Sequence, residues 1–205
     1  MFKNKYPGKF IAIEGIDGSG TTSQVIRLNE FFYKEKIPAL FTQEPTNNVI
    51  GGITRGCLSG DLKIPSAAGL QLLFAADRAN HLEKEIIPSL QKGLNVITKR
   101  YFLSSIAYGS VDINDTDWLW KINDQFLIPD LTILLKISSK TRMQRMAQNN
   151  LQLNLFTDKE NIEKVWLNYE AIAKKYPNIL IIDAEKSQDE VFAEVKSAVL
   201  KIIQK

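Results

Sequence analysis

Cysteine is almost absent: Cys57 is the only one in 205 residues. No intrachain disulfide and no metal-binding or redox cysteine pair can form, which excludes a disulfide-stapled scaffold and suits a reducing, cytoplasmic setting. Long apolar runs are missing too. No stretch approaches the roughly 18 uninterrupted apolar residues of a membrane span, and the opening MFKNKYPGKF has no apolar segment before a cleavage site, so a soluble protein without a membrane partner is expected. Nor is there a charge excess: 26 basic residues stand against 23 acidic ones, a net charge of +3. Nothing in that balance demands a nucleic-acid polymer, although a pI near 8.8 suits small anionic partners. Repeats and low-complexity segments are absent as well. With 44% hydrophobic residues, the chain supports one core, hence one domain over residues 1–205. The lysine-bearing first nine residues read as a solvated tail.

What is present is concentrated first in Phe10 to Gln24, FIAIEGIDGSGTTSQ. An apolar run leads into a glycine-rich turn and then into hydroxyl residues that open a helix. Gly15, Gly20 and Thr22 fall at the spacing of the phosphate-binding loop G-x-x-x-x-G-K-[ST], with Thr21 where the lysine would stand. Free backbone N–H groups and a helix dipole bind phosphate whatever side chain sits at 21, so one cation is lost and the cradle is kept. The candidate phosphate-binding set is Gly15, Asp17, Gly18, Ser19, Gly20, Thr21, Thr22 and Ser23, with the Thr22 hydroxyl as the metal ligand. A dinucleotide fingerprint fits poorly, because the glycines run G-x-x-G-x-G and the next acid, Glu44, lies too far on.

The remaining punctuation alternates strands with helices. Buried strands are expected at Lys9–Glu14, Ala39–Thr42, Leu94–Thr98, Leu131–Ile137 and Ile179–Asp183. Helices are expected from the loop to before Pro38, at Val49–Leu58, and in one long run Ser66–Gln91 begun by Pro65. Others follow at Thr116–Gln125, Lys140–Asn149, Lys159–Lys175 and Gln188–Ile203. That alternation predicts an α/β fold, a parallel sheet covered by helices on both faces, with chemistry at the carboxyl ends of the strands. Those ends carry Glu14 and Asp17, then Gln43 and Glu44, then Lys99, Arg100 and Tyr101. Phe74 and Arg78, four apart on the long helix, share a face that could stack a base and grip a phosphate.

Several segments together resemble the thymidylate kinases. FIAIEGIDGSGTTSQ is similar to that family's strand and phosphate loop, TQEP to T-R-E-P, and LLFAADRANH to L-L-F-x-A-D-R. KRYFLSSIAYG is similar to D-R-Y-x-x-S-S-x-A-Y-Q and PDLTILL to P-D-L-T-x-x-L, in the family's order from Phe10 onward. The resemblance implies a three-layer P-loop fold with a five-stranded parallel sheet, a lid at about 147–158, ATP with Mg²⁺, and transfer of the γ-phosphoryl group to thymidine monophosphate. It also implies a homodimer. By the same resemblance Phe74 stacks on the base, Arg78 reaches the base or phosphate, and Arg100 holds the acceptor phosphate. Asp17 lies near the sugar 3′-hydroxyl, and Tyr108 closes the 2′ position. Arg55, Glu44 and Ser104 complete the acceptor site, and Arg145 precedes the lid. His81 reads as structural, since phosphoryl transfer needs positioning and charge rather than a base.

Four departures touch that pattern. Thr21 replaces the loop lysine, Lys99 the acid of D-R-Y, Gln43 the arginine of T-R-E-P, and Gly109 the glutamine after the aromatic. Losing one cation at a transferring phosphoryl group costs about 3 kcal/mol. If strands one and three are neighbours, the Lys99 ammonium can reach the β/γ-phosphates in place of the missing lysine, making Lys99 catalytic beside Arg100 and Arg145. Lys99 would also remove a carboxylate from around Mg²⁺, leaving Thr22, with Glu44 or Asp17 as outer acids. Residues 147–158, AQNNLQLNLFTD, contain no basic side chain. The alternatives are a related kinase with another acceptor and a nucleotide-binding homologue with weak catalysis. Trp118 and Trp120 alternate, so one of them faces either a partner or the interior.

Overall fold

The computed structural model describes residues 1–63, 66–148, 159–176 and 178–204. Its centre is β2 (Phe10–Gly15), buried along its whole length, as an apolar strand covered on both faces must be. On one side β2 pairs with β4 (Asn95–Lys99), which pairs in turn with β3 (Ala39–Gln43). On the other it pairs with β6 (Leu131–Lys136), and β6 pairs with β7 (Ile179–Asp183). The order β3-β4-β2-β6-β7 is parallel throughout. The ends of β2, β3 and β4 therefore open on one edge, with Gln43 level with Lys99.

The connections are helical. α1 (Thr21–Lys34) and α9 (Gln188–Ile203) pack on each other and on the sheet. α2 (Val49–Ser59) lies on α3 (Ala67–His81), and α3 lies on α5 (Phe102–Asp112). α5 also packs on β2, on α6 (Thr116–Asn123) and on α8 (Lys159–Lys175), while α8 touches α7 (Ser139–Gln148). Gly60, with φ of 85°, ends α2 in the left-handed conformation that favours glycine. The Ser66 side chain caps α3 by accepting from Gly69 N–H at 2.9 Å, satisfying one orphan donor of the first turn.

Three expectations are corrected. The run Ser66–Gln91 is not one regular helix: a π-helical turn, Leu82–Ile86, separates α3 from α4 (Ile87–Gln91). Pro88 has no N–H to give four residues back, and the ladder re-registers there, Ile87 N–H bonding Leu82 C=O five residues earlier. α5 was not among the expected helices, because FLSSIAYGSVD is apolar nearly all round and shows no amphipathic period; Phe102 to Gly109 is buried except at Ser104. The first residues are not a free tail. Phe2–Lys3, β1, pairs in parallel with Leu127–Ile128, β5, and Asn4 Nδ2 donates to Asp130 Oδ2 at 2.6 Å, although Lys3 and Lys5 stay exposed. Trp120 stacks on Tyr176 with ring centroids 5.3 Å apart, and Trp118 packs partly buried against the core. Both tryptophans are thus used within the chain.

Candidate active site

The turn after β2 is built on positive φ angles at Gly15, Gly18 and Gly20. A Cβ at Gly15 would stand 2.5 Å from Ser19 Oγ and 2.9 Å from the Leu135 carbonyl oxygen, so only glycine fits. Gly20 is the N-cap of α1 and supplies no side-chain cap. The first-turn N–H groups of Thr21, Thr22 and Ser23 have no intrahelical acceptor, and with the helix dipole they form an anion cradle. The loop from Asp17 to Gln24 lines a cavity whose other walls include Lys99, Arg100 and Arg145. Arg145 reaches over from α7, one guanidinium nitrogen donating to Ala184 C=O at 2.8 Å.

A second cavity adjoins the first. Phe74 and Arg78 of α3, Glu44, and Ser104 and Tyr108 of α5 line it, and Asp17, Lys99 and Arg100 border both cavities. Lys99 is the last residue of β4, the strand beside β2. Its Nζ donates to Thr22 Oγ1 at 2.8 Å, bridging from one strand end to the neighbouring loop. Thr21 is only 6% exposed. Burial, then the Arg100 guanidinium, hold the Lys99 ammonium below the ordinary lysine value, with Asp17 opposing. Arg100 pairs with Asp17 Oδ1 and lies 5.4 Å from the centre of the Tyr108 ring.

Arg78 is 1% exposed and thoroughly engaged. Its Nε donates to Glu44 Oε2 at 2.8 Å, and its terminal nitrogens to Asn123 Oδ1 at 2.5 Å and Ser105 Oγ at 3.0 Å. Glu44 also accepts from His81 Nδ1 at 3.0 Å, while His81 Nε2 bonds Thr42 Oγ1 at 2.8 Å. His81 lines neither cavity and braces Glu44 against β3. Arg55 is the expected site residue that does not join the others: it donates to the carbonyls of Pro45 and Thr46 and lines neither cavity. The two acids considered for the outer metal shell are already held, Asp17 by Arg100 and Glu44 by Arg78 and His81. No group of three His, Cys, Asp or Glu suited to a metal occurs among the described residues. Of the expected lid, residues 149–158 lie outside the described residues.

Sequence reasoning left Glu14 without a role. Fully buried at the end of β2, it accepts from Tyr101 N–H at 3.0 Å, from the Ser104 hydroxyl, and from Tyr169 Oη at 3.4 Å. Burial pushes its carboxyl up to about 7, against the lowering by Ser104, Arg100, Tyr101 and Arg78. The folded state therefore binds this proton more tightly than the unfolded chain. Its stabilising contribution is whole below the ordinary glutamate value of 4.5 and is lost as pH rises through about 7, a change of about 3 kcal/mol. Urea unfolding between pH 5 and 8 is expected to show that decline, and Glu14→Gln to flatten it. A Glu14→Gln protein that keeps the whole slope would place its origin elsewhere. Tyr169 and Gln71, inside α8 and α3, and Asn123, the last residue of α6, were missed for a plainer reason: none of them follows a strand of the central sheet or falls within a quoted motif.

The chain as a whole is similar to known proteins of one family. A family model described as thymidylate kinase matches residues 13–195. A probable thymidylate kinase of Pyrococcus horikoshii is 36% identical over 196 residues, covering 94% of this chain and 96% of that protein. A thymidylate kinase of Thermosipho africanus is 36% identical over 200 residues, covering 95% and 99%. The solved thymidylate kinase of Candida albicans matches with a TM-score of 0.83 at 25% identity, covering 97% of this chain and 93% of that one.

Proposed function

Because this chain belongs to the thymidylate kinase family, we propose that it transfers the γ-phosphoryl group of ATP to thymidine monophosphate, giving ADP and thymidine diphosphate. The observation that carries this reading is the meeting of two cavities at Asp17, Lys99 and Arg100: one is floored by an anion cradle and the other walled by an aromatic ring and charged side chains. ATP lies along residues 15–23, its β- and γ-phosphates on the N–H groups of the loop and the start of α1. The acceptor lies between Phe74 and Tyr108, its base against Phe74 and its phosphate toward Arg100. An acceptor phosphate oxygen attacks the γ-phosphorus in line as the bond to the bridging oxygen of ADP breaks, and fixed cations neutralise the spreading charge.

The residues divide this work. Arg100 touches both phosphate groups, Lys99 takes the part of the absent loop lysine, and Arg145 closes the ATP side. Asp17 fixes Arg100 and faces the acceptor sugar. Glu44 and Ser104 shape the acceptor pocket, and Tyr108 excludes a ribose 2′-hydroxyl. The donor set suits Mg²⁺ only modestly: Thr22 would hold it, with phosphate oxygens and water as its other ligands, an arrangement that Mg²⁺ accepts. When bound it supplies positive charge at the β- and γ-phosphates. Arg55 faces backbone carbonyls and enters this scheme only if it swings on acceptor binding.

A single kinase domain over residues 1–205 is the domain organisation that goes with this reading. A homodimer is supported by exposed Val49 and Ile53, one turn apart on α2, and by exposed Leu72 on α3, apolar side chains that a second copy would cover. A cytoplasmic setting is supported by the single unpaired Cys57 and by the absence, among the described residues, of a helix able to cross a membrane. The decisive experiment is ADP release with ATP, Mg²⁺ and thymidine monophosphate, run beside the other common monophosphates. Preferential turnover of thymidine monophosphate is expected. Tight binding of both nucleotides with no ADP formed would overturn the proposal in favour of a silent nucleotide-binding homologue.

A further inference from the structure

Gln71 lines the acceptor cavity, and no described residue uses its amide oxygen. The residue is 3% exposed, and its Oε1 is sealed from solvent with no hydrogen-bond partner among the described residues. Burying such an acceptor unpaired is unfavourable, and native proteins seldom leave one so without a functional reason. Gln71 stands one helical turn before Phe74 and two before Arg78, on the same face of α3. Across the cavity wall is Gly109 of α5: a Cβ there would lie 3.0 Å from Gln71 Cδ, 3.1 Å from its Nε2 and 3.0 Å from Leu119 Cδ2. The space that a side chain at 109 would need is filled by the Gln71 carboxamide, so glycine at 109 and glutamine at 71 are one arrangement.

We infer that Gln71 reads the base of the acceptor nucleotide, a specificity that rests on the acceptor site proposed above. A pyrimidine with an imide N–H between two carbonyls offers the complement to an unpaired carboxamide oxygen: Oε1 accepts from the ring N–H, and the amide nitrogen is free to donate to a flanking carbonyl. Stacking on Phe74 fixes the plane of the ring, and the carboxamide adds selectivity along its edge. A site built around such a bond rejects ligands that cannot make it, because the buried polar atom is then left unpaired.

Gln71→Met keeps the length of the side chain and removes both polar atoms. Its KM for thymidine monophosphate is expected to rise about tenfold, the equivalent of one buried hydrogen bond, with kcat and the KM for ATP nearly unchanged and a melting temperature no lower than that of the parent. The second probe is the N3-methyl analogue of thymidine monophosphate, which lacks the imide hydrogen. The parent discriminates against it more strongly than Gln71→Met does, and Gln71→Asn, its amide drawn back by one methylene, falls between them. A parent enzyme that turns over thymidine monophosphate while both variants keep its KM and its discrimination overturns this role. So does a drop in melting temperature with unaltered KM, which would mark Gln71 as structural. A parent inactive toward every pyrimidine monophosphate would instead remove the acceptor site on which the inference stands, and the inference with it.

Discussion

Replacing Lys99 by alanine is expected to slow phosphoryl transfer by about two to three orders of magnitude, the effect of deleting one preorganised donor from a charge-stabilising site. The melting temperature and the KM for thymidine monophosphate should move little. The argument is one of geometry and charge. The loop position that would carry a lysine holds a buried threonine, yet an ammonium stands 2.8 Å from the Thr22 hydroxyl, delivered from the end of the neighbouring strand. Desolvation and Arg100 hold that ammonium below its usual pKa, so its charge is only partly shielded by water and acts strongly on a phosphate beside it. ADP release at saturating substrates measures the loss. The double variant Lys99→Ala with Thr21→Lys should recover part of the rate, because it returns the cation to the loop. Undiminished turnover in Lys99→Ala would sink the assignment.

Arg100→Ala is expected to cost about two to three orders of magnitude in kcat/KM for thymidine monophosphate, and Arg100→Lys to restore only a small share. Arg100 is bound to Asp17 on one side, lies over Tyr108 on another, and borders both cavities. A guanidinium can hold a carboxylate and a phosphate at once through separate N–H pairs, which an ammonium cannot do with the same rigidity. Removing it also leaves the Asp17 carboxylate facing an incoming anion, so the penalty falls on acceptor binding as well as on the chemical step. Separate determination of kcat and KM distinguishes the two contributions. A variant impaired only in ATP binding would contradict this placement.

Much of this site was legible because its residues sit where short-range rules apply. Glycine spacing located the anion cradle, apolar runs located the five strands, and parallel pairing put Lys99 beside the loop once strands one and three were taken as neighbours. The register of β2 with β4 bears that neighbourhood out. What stayed hidden depended on contacts distant in sequence. Glu14 reads as one more residue of a buried strand until Ser104, Tyr169 and the Tyr101 backbone converge on it. Arg78 reads as a hand reaching for substrate, and the grip of Glu44, Ser105 and Asn123 on it beside the acceptor cavity shows only in the fold. α5 escaped because a helix buried nearly all round has no polar stripe to betray its period. The π-helical turn before Pro88 escaped because proline announces that a helix is disturbed, not how the ladder recovers.

The bridge from Lys99 to Thr22 also bears on how nucleotide-binding chains are recognised at all. A search string that insists on lysine between the second glycine and the hydroxyl passes over this chain, although its cation ends within a hydrogen bond of that hydroxyl. If Lys99 takes the loop lysine's part as proposed, what has to be kept is a location in space, reachable from either of two adjacent backbones. A better query would let the positive residue migrate to the terminus of the flanking strand, seventy-odd positions downstream here, since Lys99 and Thr22 are 77 residues apart.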